Sequence, residues 1–279
     1  MKTNSLAIIT TTVCLIIFSG SLFSQKTRKV KKYLESLPNI ELEEKSPQRY
    51  LMTAEYFNKD IYGNFRSKIK VTGEYTRGLE DNHVRWNNVY ISHTKKQTQP
   101  YSNSDKQDYM ENFTYMPSLD FLEESFFESF DKNNDNVFAR NLIWDMSAIE
   151  LFAWNYYDSM QLNQTFLVSE IQGSFDMADI GTYDHTKIEL NWVGIAKMNN
   201  KLCAIIEYRA LDNKLELHTE NMKSKGSEFY WGKTWISLDN KQIEYAEMYS
   251  NTIQEMEIAE LPDKMLASTK RVLTLERIK

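Results

Sequence analysis

The 279-residue chain is poor in the residues that usually build a reactive site or a covalent framework: it has two cysteines, four histidines, five prolines and nine glycines. It contains no glycine-rich phosphate loop, no Gly-x-Ser-x-Gly nucleophile motif and no histidine pair at metal-ligand spacing. We therefore expect no cofactor and no metal, and the sequence identifies no catalytic residue. Asp184, His185 and Glu189, at the start of a predicted strand, form the best metal candidate, but a metal site is not favoured there.

An excess of basic residues is also absent. The chain has 33 Lys and Arg against 39 Asp and Glu, a formal charge of −6 at pH 7. Such a balance excludes a general binder of polyanions, so we expect no nucleic-acid partner. Positive charge does cluster between Lys26 and Lys32, where a solvated terminus is favoured over an arm that binds a membrane or another protein.

The N-terminal 24 residues have the order of a secretory signal peptide: a lysine, an apolar run from Leu6 to Phe18, then small and polar residues. The run is too short for a comfortable membrane span, so no transmembrane span is expected in the mature chain. Cleavage is expected after Ser24, with Ser21 as the alternative. We therefore expect export to the periplasm or the cell exterior. Cys203 would be the only mature cysteine, which excludes an internal disulfide.

Residues 25–49 are predicted to form a polar, basic N-terminal segment, and residues 50–279 a single β-rich domain. The segment from Phe65 to Tyr75 alternates with period two, as a half-buried antiparallel strand does. Two helices are expected near residues 118–161, the first capped by Ser118 and the second apolar on most of its circumference. The expected fold class is β-rich α+β: a strongly curved antiparallel sheet, as a half-barrel or open barrel, around two central helices.

Aromatic residues are the strongest functional signal, at 13% of the chain. Alternation places Phe229, Trp231 and Trp235 on one face of a strand and Tyr230 on the other face. In an earlier strand it places Trp86 and Tyr90 on the same face. Core packing is the ordinary explanation of such residues. The alternatives are a lined cavity for an apolar ligand, or stacking on sugars. The residues predicted to bind a ligand are Trp86, Tyr90, Trp154, Trp192, Phe229, Trp231 and Trp235.

The pattern of elements across residues 50–279 resembles the LolA-like family of periplasmic lipoprotein carriers. The resemblance rests on architecture and on no residue motif. It implies that lipid acyl chains are held between the sheet and the helices. The resulting hypothesis is an exported, non-enzymatic binding or carrier protein of the cell envelope whose partner is a lipid or another hydrophobic small molecule. Two alternatives stay open: a secreted hydrolase of glycans or esters with acids from separate strands, and a structural or interaction module.

Overall fold

The computed structural model describes residues 27–34, 42, 46–130, 135–219, 221–259 and 261–279. The expected signal peptide, residues 1–24, lies outside these ranges, so export and cleavage stay predictions. None of the helices within these ranges has both the length and the apolarity required to span a bilayer.

The described residues form one antiparallel sheet of thirteen strands. Its first five strands are β1 (Gln48–Asp60), β2 (Phe65–Arg77), β3 (Val84–Thr94), β4 (Ser102–Lys106) and β5 (Phe113–Tyr115). Four short or medium strands follow: β6 (Thr165–Val168), β7 (Gly173–Asp176), β8 (Gly181–His185) and β9 (Lys187–Met198). The last four are long: β10 (Lys201–Thr219), β11 (Met222–Ser237), β12 (Ile243–Ile258) and β13 (Met265–Ile278).

The strand order along the sheet is β4-β3-β2-β1-β13-β12-β11-β10-β8-β7. Strands β1 and β13, near the two ends of the chain, are neighbours within the sheet, where Arg49 of β1 pairs with Ile278 of β13. Strand β10 pairs with β9 through its first half and with β8 through its second half. The two halves are separated by an irregularity in which Asp212 has φ 59°. The order ends at β4 and β7, so the sheet is not closed into a barrel.

Two α-helices are present in the described ranges, α1 (Thr27–Leu34) and α2 (Asn136–Glu150), and α2 contributes residues to the buried core. A π-helical turn, Leu151–Asn155, continues α2. The prediction of two central helices is therefore not confirmed. The segment capped by Ser118 forms two short 3₁₀ turns, Leu119–Leu122 and Glu124–Phe127. Glu123 between them is extended, with ψ 143°, which interrupts any continuous helix.

The sheet curves around α2. Leu142 of α2 packs on Gly73 of β2, where an added Cβ would lie 3.1 Å from the leucine side chain. Phe152, in the π turn, stacks at 5.1 Å on Tyr208 of β10. These two strands are five strand spacings apart, about 24 Å on a flat sheet, whereas the two contacts lie ten residues apart, about 15 Å along the helix axis. One helix reaches both strands because the sheet is concave towards it.

Candidate ligand-binding cleft

A cleft of about 480 Å³ lies beside α2, between the helix and the inner face of β8 and β11–β13. Residues 117–122 and 171–177 form its outer wall. Its lining is largely apolar. The aromatic part of the lining consists of Phe121, Trp144, Trp154, Phe175, Tyr183 and Tyr230, with the His185 imidazole beside them. The aliphatic part includes Leu119, Leu122, Leu151, Ile171 and Met248.

Helical periodicity explains how α2 serves both the core and the cleft. Leu142, Met146 and Ile149 are buried in the core. Trp144 and Ala148, four residues apart and therefore on one face, line the cleft instead. The Trp144 indole N–H donates to the carbonyl of Phe121 at 3.0 Å, and the Trp154 indole donates to the carbonyl of Lys241 at 2.8 Å. Both rings are thereby held in place as cleft walls.

Charged side chains from three elements meet on the cleft wall. Nη1 of Arg271, on β13, lies 2.9 Å from both carboxylate oxygens of Asp145, on α2. Nη2 of the same arginine is 3.8 Å from Glu228, on β11, which also accepts a 2.7 Å hydrogen bond from the Tyr183 hydroxyl. Burial raises the pKa of the Asp145 carboxyl to about 6, against the opposing effect of the Arg271 guanidinium.

A second ion pair lies towards the C-terminal end of α2. Arg77 contacts Glu150 at 2.5 Å, and the Tyr75 hydroxyl donates to the same carboxylate at 2.8 Å. The Arg77 guanidinium stacks 4.1 Å from the centroid of the Trp154 ring. This pair joins the end of the helix to β2, and both charged side chains line the cleft.

His185 lies at the end of β8 and lines the cleft. Its Nδ1 is buried without a hydrogen-bond partner, and its ring lies among those of Phe175, Tyr183 and Tyr230 at 4.9 to 6.2 Å. Burial lowers the pKa of this imidazole to about 4, so it is neutral at pH 7. Glu189 is instead bound by Lys187 and Arg209. Over the ranges described, no three potential His, Cys, Asp or Glu ligands are grouped for a metal.

Among the aromatic residues predicted to bind a ligand, Trp154 lines the cleft and the others lie elsewhere. Trp86 is fully buried in the core, with its indole 3.4 Å from the Tyr115 hydroxyl. Trp192 packs against Tyr157 and donates its N–H to the carbonyl of Gly194.

Trp86 and Tyr90 do not share a face, contrary to the expectation from strand parity. The β2–β3 register shifts between Thr72 and Glu74, so that an extra residue of β3 is accommodated next to Asn88, which has φ 51°. This bulge reverses the alternation beyond it. Val89 is buried with Trp86, and Tyr90 is half-buried on the other side.

Phe229, Trp231 and Trp235 do share a face of β11, as predicted, but it is the outer face of the sheet. Tyr230 lies on the inner face and reaches the cleft. Phe229 and Trp231 are 37% and 38% exposed, and their rings stack with Tyr249 of β12 at centroid distances of 5.9 Å. Stacked rings of this kind turn their faces to one another, which leaves mainly their edges to solvent.

The charged residues of the cleft were not singled out from the sequence, although one signal was present. Arg271 has the same strand parity as the buried Leu273 and Leu275, and Asp145 interrupts an otherwise apolar face of α2. Charged residues at inward positions are rarely buried unless they are paired. Their partners come from elements far apart in the chain, so the sequence alone could not match them.

Neither the family models nor the curated proteins include a match to this chain. Solved structures that resemble it include one of lipovitellin, described for its lipid–protein interactions, and one of a DUF1329 family protein from Desulfovibrio piger. The lipovitellin match has 10% identity and a TM-score of 0.39, and covers 84% of this chain but only 25% of that one. The second match has 10% identity and a TM-score of 0.15, and covers 89% and 90% of the two chains. Likenesses at this level assign neither a family nor a function.

Proposed function

We propose that this protein is a non-enzymatic binding or carrier protein that holds a hydrophobic or amphipathic small molecule in the cleft beside α2. The observation that carries the proposal is the cleft itself. Its volume of about 480 Å³ falls within the roughly 300–1,000 Å³ typical of small-molecule sites, and its walls are aromatic and aliphatic with a few buried polar groups.

The hydrolase alternative has less support from the geometry. Four carboxylates line the cleft, and two of them, Asp145 and Glu228, lie beside the same arginine, Arg271. Glycoside hydrolysis requires the scissile bond to lie between two carboxyl groups. Here the guanidinium of Arg271 lies between them and bonds to Asp145. The space that a sugar would need is thus already filled.

The structural-module alternative also has less support. A long, flat, unpaired edge strand would favour association through the sheet. The strands at the ends of the sheet order, β4 and β7, are five and four residues long. Short edges of this kind discourage such pairing.

Export to the periplasm or cell exterior is part of the proposal and rests on the N-terminal 24 residues alone. N-terminal sequencing of the protein recovered from the cell envelope or culture medium tests it. The LolA-like resemblance is likewise kept as a proposal of carriage, supported by an open sheet that curves around a helix.

The binding proposal is tested by displacing a neutral fluorescent probe, N-phenyl-1-naphthylamine, and by mass spectrometry of organic extracts of gently purified protein. Ala148→Trp places the largest side chain into the cleft. Leu167→Trp adds the same side chain at a position on β6 that is 56% exposed and outside the cleft lining.

We expect the native chain and L167W to bind the probe, and A148W to lose at least about tenfold in affinity because its indole fills space that the ligand needs. Circular dichroism checks that both variants are folded. Equal binding by A148W and L167W, or no binding by the native chain together with an empty extract, would overturn the proposal.

A further inference from the structure

We infer that the cleft selects ligands with a cationic, amine-type head group over ligands with a carboxylate or phosphate head. This inference rests on the proposed function, because it specifies the chemistry of the molecule that the cleft would hold. It comes from the balance and placement of charge around the cleft.

The charged residues that line the cleft are two arginines and four carboxylates: Arg77, Arg271, Asp145, Glu150, Asp176 and Glu228. Arg77 is paired with Glu150 at 2.5 Å, and Arg271 is paired with Asp145 at 2.9 Å. The two arginines are therefore each matched by one carboxylate. The surplus negative charge belongs to Glu228 on the inner wall and Asp176 at the exposed rim.

Glu228 is the anion placed to meet a head group. Its side chain is 13% exposed, and it accepts hydrogen bonds from Tyr183 at 2.7 Å and Thr252 at 3.3 Å. These hydroxyls orient the carboxylate without neutralising it. The nearest cation, Nη2 of Arg271, is 3.8 Å away on a side chain whose Nη1 is bound to Asp145.

The histidine of the cleft does not change this balance. No carboxylate lies within hydrogen-bonding distance of the buried His185 Nδ1, and the ring is surrounded by aromatic side chains. Burial keeps its pKa at about 4, so it contributes no positive charge at neutral pH.

Aromatic and aliphatic walls strengthen the effect of the surplus charge. Electrostatic interactions are stronger in a poorly hydrated site than in water, so an anionic head near Glu228 would be repelled and a cationic head attracted. Aromatic faces also attract ammonium groups directly. Tyr230, Phe175 and Trp144 line the same cleft as Glu228 and supply such rings.

The test compares decylamine, decanol and decanoate, which share a ten-carbon chain and carry a positive, neutral and negative head at pH 7. Each is titrated below its aggregation concentration, in physiological salt, against the full chain loaded with N-phenyl-1-naphthylamine. Salt at this level screens the overall negative charge beyond about 8 Å. The comparison is repeated with Glu228→Gln and with Glu207→Gln, an outer-face residue of β10 paired with Lys233.

We expect decylamine to bind at least about tenfold more tightly than decanoate, with decanol between them. The ratio of the affinity for decylamine to the affinity for decanoate should fall at least about threefold in E228Q. It should stay unchanged in E207Q, which removes the same charge from the outer face of the sheet. If E228Q does not fold, Asp176→Asn at the exposed rim should lower the ratio in the same direction.

The possible failures are distinguishable. If the native chain does not take up N-phenyl-1-naphthylamine, the proposed function fails. If the probe binds but none of the three compounds displaces it, the charge inference fails while the binding function stands. If decanoate binds as well as decylamine or better, the charge inference fails while the binding function stands. A preference for decylamine that persists fully in both E228Q and D176N would overturn the assignment to these carboxylates.

Discussion

Replacing His185 by phenylalanine should make the protein less sensitive to acid. The imidazole is buried among three aromatic rings, and its pKa is lowered from 6.5 to about 4. In the unfolded chain the same group accepts a proton near pH 6.5. A lowered pKa in a base means that the unfolded state binds more protons between these values, so stability falls as the pH decreases through this window.

The magnitude follows from the two pKa values. Below pH 4 the pKa difference lowers the free energy of unfolding by about 3 kcal/mol. About 2 kcal/mol of this loss occurs between pH 7 and pH 5. The phenyl ring introduced by His185→Phe would keep the edge-to-face contacts and remove the buried unpaired nitrogen. We therefore expect the native chain to lose about 2 kcal/mol more of its unfolding free energy than H185F over this interval.

Urea denaturation followed by circular dichroism at pH 7, 6 and 5 measures this difference. His218→Phe is the matched control, because it makes the same substitution at a histidine on β10 that lies outside the cleft lining. Parallel losses of stability in the native chain and H185F would refute the assignment of a buried neutral histidine to the cleft wall.

Three further predictions concern the wall of the cleft and the sheet behind it. Asp145→Asn should cost about 3–5 kcal/mol by leaving the buried Arg271 poorly paired, whereas the double variant D145L/R271M should cost much less than the sum of its single changes; additive losses in urea denaturation would contradict the ion pair. Gly232→Ala should lower the melting temperature strongly, at a cost of about 2 kcal/mol or more, because its Cβ would stand 2.0 Å from a carbonyl oxygen of β12; unchanged melting would contradict the tight strand contact. Trp231→Ala, on the outer face, should leave probe binding unchanged, and a large loss of affinity would relocate the site.

Local periodicity predicted the strands well where the backbone is regular. In β2 the predicted inner residues Ile69, Val71, Gly73 and Tyr75 are all buried. The bulge near Asn88 reversed the alternation of β3. Asparagine adopts positive φ more readily than most residues, but an asparagine within an alternating segment does not by itself predict a bulge. Alternation specifies which residues share a face, but it does not specify which face of a curved sheet is the inner one.

The helical region shows a different limit. The second predicted helix is present as α2, but the first was expected from Ser118 and the spacing of its apolar residues. The serine does cap a turn, accepting from the Asp120 backbone N–H, and that turn ends after one helical repeat. Phe127 and Phe130 are buried, while Leu119 is 72% exposed. Tertiary packing of the two phenylalanines therefore favours the two short turns over one continuous helix.

The sequence predicted a concave interior but not the charged residues that meet in the cleft. A helix that is apolar on most of its circumference indicated a concave partner surface, and Trp154, one of the residues predicted to bind a ligand, lines the cleft. The group formed by Asp145, Glu228 and Arg271 depends on pairing between α2, β11 and β13, whose members are up to 126 residues apart in sequence. Only the folded arrangement brings them together.

The most direct test of the central hypothesis is photo-crosslinking with a diazirine-bearing decylamine, followed by peptide mass spectrometry. Binding in the cleft predicts adducts within residues 117–122, 144–154 and 171–177, and their loss in Ala148→Trp. Adducts concentrated instead at Phe229, Trp231 and Tyr249 would place the ligand on the outer face of the sheet and contradict the account.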